Sequence, residues 1–547
     1  MGKSSLLLAT DAQPVDPSNP GKVMTKAQLY CREAARQMVE VVKVSGSETY
    51  LTSLVKGLLF GFNEGDKDKK TAERKRRQED SRNQCNSLVL ALVELLLSFE
   101  ETREHKEEDG KELVALLATL SVFSQAYPEL LVPHIDTLVP YLKGDNGAKK
   151  YEPFIVSTVS NIVSLSSSHF SSAELARLTG GGLPADLVNI TYKFPPSAVS
   201  SAVEALAKLA NHPDANAGSI QEKKLFTMAV QFYSYLLKNK DKTDDFAKLK
   251  KSVRDNVRRA LSALGSVCRY YECHDGTDSH NLDPNGFSVI TDTKQLQFSG
   301  NVLSSASFAL FKEYLDKDDE STKCLALRAM NGVFISRPRV VLAAEQLGII
   351  TSVISEQAAP SVQIESLRCW RDILLAEEKR IESGAAKEKM LHQKHVALSK
   401  RISGDQDGDA CISGSVLTKH ADRLYELTQS KDEKVRHMII DLIGHLLRQG
   451  LINPMATVPH LLAVQGDVKS PSTRALALKL LINEGEKRPD MLRQRICAGV
   501  KHAFSFQRAV YSSDTNGSPR VTALLTKTEG PKVVTETIFD AVSVLFY

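Results

Sequence analysis

The chain has 547 residues, 42% of them hydrophobic, 25% charged and only 6% aromatic, with a net charge of +4. This length excludes one ordinary core and calls for several domains or an extended array. The small net charge excludes a polycation, so any affinity for nucleic acid has to come from local patches.

Residues 1–23 read as a disordered leader rich in Pro, Ser and Asp. The apolar run after Met1 is too short for a secretory signal. No later run approaches the roughly 20 apolar residues that span a bilayer, so no membrane partner is expected. Residues 24–110 read as a helical region, interrupted by the charged linker GDKDKKTAERKRRQEDSRN (65–83) and again by KEEDGK (106–111).

Beyond it, Leu113, Leu116, Leu117, Leu120 and Phe123 fall at i, i+3, i+4, i+7 and i+10, one face of a helix. Pro128 stops that helix, and a second one carrying Ile135, Leu138 and Leu142 is expected after it. The same unit returns along the chain. Val253, Val257, Ala260, Leu264 and Val267 share a face in SVRDNVRRALSALGSVCRYY (252–271). STKCLALRAMNGVFISRP overlays SVQIESLRCWRDILLAEE with an offset of 40, placing Thr322 on Val362, Leu327 on Leu367 and Arg328 on Arg368. Val435, Ile439, Leu442, Ile443 and Leu446 make a further apolar face, closed by Gly450. Asn453 with Pro454, or Thr457 with Pro459, is expected to start the next helix, and Ser470 with Pro471 the one after. Paired amphipathic helices at a period near 40 are HEAT-type repeats. The expected fold is an all-α HEAT-repeat α-solenoid, curved or hook-shaped, because no single pair can bury its own apolar face.

Two insertions are expected to interrupt the array, ECHDGTDSHNLDPNGF (272–287) and residues 376–412. SVITDTKQLQF (288–298) is the single β-rich stretch and reads as a loop. The eight cysteines are scattered, several of them inside apolar helical patterns, which suits buried free thiols. CRYYECH (268–274) lacks a second ligand pair at zinc spacing, and GDQDGD (404–409) lacks the glutamate an EF-hand needs. No phosphate-binding loop, zinc-protease motif or nucleophile elbow occurs, and GGGLP (180–184) reads as a loop. No enzyme, catalytic residue, metal or cofactor is expected.

Basic clusters are the remaining signal. Lys69, Lys70, Arg74, Lys75, Arg76 and Arg77 resemble a nuclear localisation signal. Lys248, Lys250, Lys251, Arg254, Arg258 and Arg259 gather within about three turns at the start of one helix, and Arg493, Arg495 and Lys501 gather on another. Such stripes can follow a phosphate backbone without reading bases.

The segments QGLINPMATVPHLLAVQGD (449–467) and RICAGVKHAFSFQRAV (495–510) resemble the C-terminal domain of Nipped-B-type sister chromatid cohesion proteins, the large subunit of the cohesin loader. PELLVPHIDTLVPYLK (128–143), VRDNVRRALSALGSVCRYYE (253–272) and the stretch 404–443 resemble that family's earlier segments in the same order. The resemblance divides the chain into cohesin-associated HEAT repeats (111–245), central repeats (246–430) and the start of the C-terminal domain (431–547). It implies a nuclear, non-enzymatic loader that binds double-stranded DNA in chromatin and the cohesin ring, both its ATPase heads and its kleisin. Stimulation of the cohesin ATPase is implied with it. It further implies a smaller helical-repeat loader subunit as a partner, and a family solenoid that continues past Tyr547. The alternative is a HEAT-type protein scaffold or nuclear transport receptor.

Overall fold

The computed structural model of the chain describes residues 15–16, 19–23, 26–46, 51–52, 71–102, 107–144, 149–215, 220–240, 249–271, 303–338, 340–355, 357–382, 412–511, 524–529 and 532–537. Two compact units emerge, Met1–Lys238 with Lys250–Val302 and Asn239–Leu249 with Leu303–Tyr547. Each is a stack of helices in the HEAT manner. Short antiparallel hairpins come first and last in the described chain, β1 (Val15–Asp16) with β2 (Asn19–Val23), and β3 (Leu524–Glu529) with β4 (Lys532–Thr537). Neither hairpin was expected. All elements described between them are helical.

The first unit runs α1 (Lys26–Ser45), α2 (Thr71–Thr102) and α3 (Glu107–Ala126), then α4 (Ile135–Leu138), α5 (Glu152–Ser166) and α6 (Ser172–Gly180). It ends with α7 (Leu183–Lys193), α8 (Pro196–Ala210), α9 (Ile220–Asn239) and α10 (Lys251–Tyr270). The anticipated face of α3 is buried from Leu113 to Phe123, against α1 on one side and α5 on the other. Burial of each such side chain stabilises by roughly 1.5–3 kcal/mol. From α3 the stack continues through α5, α8 and α10. Small residues let these helices approach closely: Ser157 and Ser201 hydroxyls meet at 3.0 Å, and the Ser266 hydroxyl donates to that of Ser200 at 3.1 Å.

Two expectations for this unit need correction. The charged run 65–83 is not a linker beyond Thr71; from there it forms the first turns of α2. Among the described side chains of this long helix, burial starts at Cys85. The second helix after Pro128 is broken into a 3-10 turn (Pro128–His134), the single turn α4 and another 3-10 turn (Val139–Lys143). Pro133 and Pro140 each remove a backbone donor, which favours the tighter turns. Ile135, Leu138 and Leu142 remain buried as expected.

The second unit contains α11 (Leu303–Leu315), α12 (Glu320–Ser336), α13 (Val340–Gln346), α14 (Ile349–Val353) and α15 (Pro360–Glu382). After residues outside the description come α16 (Ile412–Lys419), α17 (Ala421–Leu427), α18 (Glu433–Arg448), α19 (Pro454–Val464), α20 (Pro471–Lys487) and α21 (Pro489–Tyr511). The insertion expected at 376–412 begins as helix, since α15 continues to Glu382. The other insertion (272–287), the β-rich stretch 288–298 and the acidic GDQDGD run lie outside the described residues.

The two repeats that overlay in sequence are neighbours in space, α12 packed on α15. Their matching arginines hold one carboxylate. Arg328 donates to both oxygens of buried Glu365 at 2.8 and 2.9 Å, and Arg368 donates to Glu365 at 3.3 Å. The ladder continues to α18 through Arg371 and Asp441 at 3.2 Å, and to α20 through His437 and the Thr473 hydroxyl at 3.2 Å. Three arginines here face Glu365, Asp372 and Asp441. The ladder is therefore close to neutral, which suits fixing the register of stacked helices better than gathering an anion.

Local signals place the ends of these helices. Asp432 caps α18 by accepting from the Lys434 and Val435 amides at 2.8 and 3.1 Å. Past α18, Gly450 sits at φ +71°, with its amide on the Leu447 carbonyl and that of Leu451 on Leu446, a Schellman closure. Asn453 with Pro454 starts α19, the Asn453 side chain accepting from the Met455 amide at 2.9 Å, so Pro459 lies inside the helix. Ser470 precedes Pro471 as expected but does not cap α20; its hydroxyl meets that of Thr473 at 2.7 Å. Gly499 is required where α21 crosses α19, since a Cβ there would sit 2.4 Å from Leu462 Cδ1.

A fully buried arginine joins the last repeats. Arg436 in α18 donates to both oxygens of buried Asp467, at 2.7 and 3.1 Å, and to the Ser430 and Lys431 carbonyls at 2.9 and 3.1 Å. Asp467 also accepts from the Tyr511 hydroxyl at 2.6 Å. Burial and this hydrogen bond push the Tyr511 hydroxyl up to about 12. Each of the three guanidinium nitrogens is thus engaged, the condition under which a buried charge is tolerable.

Nearby, the His460 ring stacks on Tyr425 at 4.5 Å and lies 4.4 Å from the His502 ring. Burial, reinforced by His502, lowers the His460 imidazole to about 4. The unfolded side chain titrates near 6.5, so between those values the unfolded state takes up a proton that the native state refuses. Stability is therefore level at higher pH and falls as pH drops below about 6.5, by roughly 2–3 kcal/mol at about pH 4.5. Urea unfolding of the second unit at the two ends of that range measures the loss, which His460→Phe should largely remove.

Candidate nucleic-acid interface

The first basic cluster opens α10. Lys248 lies outside the described residues, Lys250 is the exposed N-cap, and Lys251 is exposed one residue on. Lys250 provides no side-chain cap, and the first turn holds no acidic residue. Helix N-termini favour anions and ordinarily recruit Asp, Ser or Glu, so cations here run against the local preference. Such a breach without structural compensation marks a functional surface more often than a fold requirement. Arg254 and Arg258 follow at i+3 and i+7 from Lys251, both half-buried.

Arg259 behaves differently. Its Nε donates to the Asp255 carbonyl at 3.3 Å, and its Nη1 donates to the backbone carbonyl of Tyr192. Tyr192 is the penultimate residue of α7, whose final carbonyls have no partner within the helix. Arg259 thus holds the end of α7 against α10. The next residue, Lys193, is exposed and forms no ion pair among the described residues. The Tyr192 ring stacks on Phe232 at 5.1 Å, and its hydroxyl donates to Gln231 at 2.5 Å, which fixes this end of α7 from a second side. Sequence reading did not find Lys193. It lies 58 positions before Lys251, and the two segments are related only by packing, through Tyr192–Arg259 and Pro196–Ser262 among other contacts.

The second cluster lies on α21, in the other unit. Arg493 and Lys501 are exposed, whereas Arg495 is half-buried. Arg493 already has Asp490 at 3.9 Å. Val500 and Phe504 are exposed on the same helix, 44% and 52% respectively, so this surface is mixed apolar and basic. Of the localisation run, Lys69 and Lys70 lie outside the described residues, and Arg74, Lys75, Arg76 and Arg77 fall in the first turns of α2.

Among the described residues, no group of His, Cys, Asp or Glu is placed to hold a metal ion, and no helix is long and apolar enough to cross a membrane. Cys85, Cys268 and Cys369 are buried thiols outside any disulfide, and burial raises the Cys85 thiol. Cys497 departs from the expectation and is exposed.

Comparison with known proteins places this architecture. Residues 413–541 match the family model Nipped-B_C, sister chromatid cohesion C-terminus. Over 449 residues, 80% of the chain, the sequence is 24% identical to Nipped-B-like protein A of Danio rerio. The chain is similar to Nipped-B-like proteins over most of its length. Nipped-B-like protein of Homo sapiens is 23% identical over 435 residues, 78% of this chain and 14% of that protein. The Danio rerio alignment covers 17% of its relative, so the chain spans less than a fifth of the length of these Nipped-B relatives. In fold, the chain is similar to the C-terminal fragment of Chaetomium thermophilum cohesin loader SCC2, with a TM-score of 0.59 and 14% identity, over 94% of this chain and 37% of that one. The Nipped-B_C match takes in the α21 cluster and leaves out the α10 cluster.

Proposed function

We propose that this chain acts in cohesin loading as a non-enzymatic nuclear component that grips the backbone of double-stranded DNA and engages the cohesin ring. The observation that carries the DNA part is the start of α10. Lys250 and Lys251 stand exposed at an uncapped helix N-terminus that has no acid in its first turn, with Arg254 and Arg258 behind them. Phosphates would satisfy the free amides, the helix dipole and the clustered cations together. Backbone contact of this kind is indifferent to sequence, as loading at many chromosomal sites requires.

The relation to Nipped-B-like proteins supports the cohesin part, with the ATPase heads and kleisin as partners and a smaller helical-repeat protein as a further one. The basic first turns of α2 would serve nuclear import. No residue of this chain is assigned to ATP chemistry; its role is to position DNA against a ring that hydrolyses ATP. The test is ATP turnover by purified cohesin. Added chain should raise turnover when DNA is present and leave it unchanged without DNA. Equal turnover with and without the chain, DNA included, contradicts the proposal and favours a protein scaffold or transport receptor.

A further inference from the structure

The end of α7 is held to α10, two turns in from its start, by a contact that neither segment needs for its own helix. The Arg259 guanidinium reaches out of α10 to the Tyr192 carbonyl, and the Tyr192 side chain is pinned separately by Phe232 and Gln231. Phe194, just past α7, is buried, so the backbone on both sides of Lys193 is fixed. Lys193 itself is exposed, with no acidic partner among the described residues. A lysine stem of four methylenes loses much rotamer freedom if ordered, and nothing in the fold orders it.

We infer that Lys193 is a phosphate contact of the α10 cluster, and that Arg259 is a positioning residue that holds Lys193 there and does not itself meet the backbone of DNA. The inference rests on the proposed grip of duplex DNA at α10 and divides that cluster by role. Lys250, Lys251, Arg254 and Lys193 meet phosphates from two helices that are remote in sequence. Arg259 gives its Nε and one Nη1 donor to the Asp255 and Tyr192 carbonyls, which fixes its guanidinium against the end of α7.

The test uses the full chain and a duplex of about 30 base pairs, titrated across salt, with hydrogen exchange read at residues 190–195. One phosphate contact changes the log–log salt slope by about 0.9, which is about eightfold in affinity at about 0.1 M salt. Lys193→Glu should lower affinity by at least that factor and flatten the slope by about one, with exchange unchanged. Arg259→Ala should weaken binding and also raise exchange at residues 190–195, and Arg259→Lys should restore part of both. A wild-type chain that binds with a salt-dependent affinity, beside a Lys193→Glu variant of equal affinity and slope, overturns this inference alone. Unchanged exchange in Arg259→Ala overturns the positioning role. A wild-type chain with no salt-dependent affinity overturns the grip on DNA and this inference with it.

Discussion

Asp467→Ala is expected to destabilise the second unit by about 3–5 kcal/mol, because it leaves the Arg436 guanidinium buried without its carboxylate. Both side chains are fully buried, so water cannot replace the lost partner. The Tyr511 hydroxyl loses its acceptor as well, which should free the last turn of α21. Hydrogen exchange in α18 to α21 reads the effect directly and avoids assigning one unfolding free energy to a chain of two units. Tyr511→Phe should cost less, about 1–3 kcal/mol, for its hydrogen bond to Asp467 and the weaker one it accepts from the exposed Lys469 amide. A double variant, Arg436→Met with Asp467→Leu, should recover most of the stability, since well-packed apolar replacements of buried pairs are often neutral. A single variant as stable as the wild type would show that the pair is dispensable to the stack.

Reversal of the α10 cations has the larger functional effect. Lys251→Glu, Arg254→Glu and Arg258→Glu together remove three phosphate contacts, each worth about 0.9 in the log–log salt slope. At about 0.1 M salt that corresponds to a loss on the order of 10²-fold or more in affinity for duplex DNA. Arg259 is left out because it holds α7, and its reversal would confuse lost binding with lost packing. The helix should survive: the apolar face from Val257 through Ala260 and Leu264 to Val267 is untouched and buried. Circular dichroism and melting of the triple variant, close to those of the wild type, separate the two causes. Wild-type affinity in that variant would remove the α10 cluster from the interface.

The fold was legible where its physics is local and periodic. Ile439, Leu442, Ile443 and Leu446 are all buried on α18, and Gly450 closes that helix in the left-handed conformation that glycine favours. The offset of 40 between Arg328 and Arg368 proved to be a physical contact through Glu365. Legibility failed where helix propensity competes with charge. TAERKRRQED reads as a break because it has no apolar face, yet these residues are good helix formers seeded by the buried turns after Cys85. It failed also at Pro133 and Pro140, where the apolar pattern survives and the helix does not.

The candidate interface was half legible. Lys250, Lys251, Arg254 and Arg258 are visible as a run, but a run does not reveal which member is already occupied. Arg259 is engaged and Lys193 is free to act, and both facts depend on the packing of α7 against α10. The buried Arg436–Asp467 pair was equally hidden: an arginine in a repeat helix reads as surface until its partner 31 positions away is placed.

The most direct test of the central claim is the affinity of the intact chain for duplex DNA measured across a range of salt. Neutralisation of phosphates by Lys250, Lys251, Arg254 and Arg258 predicts a log–log slope near −3 or steeper. A slope near zero, or no measurable affinity at low salt, would contradict it.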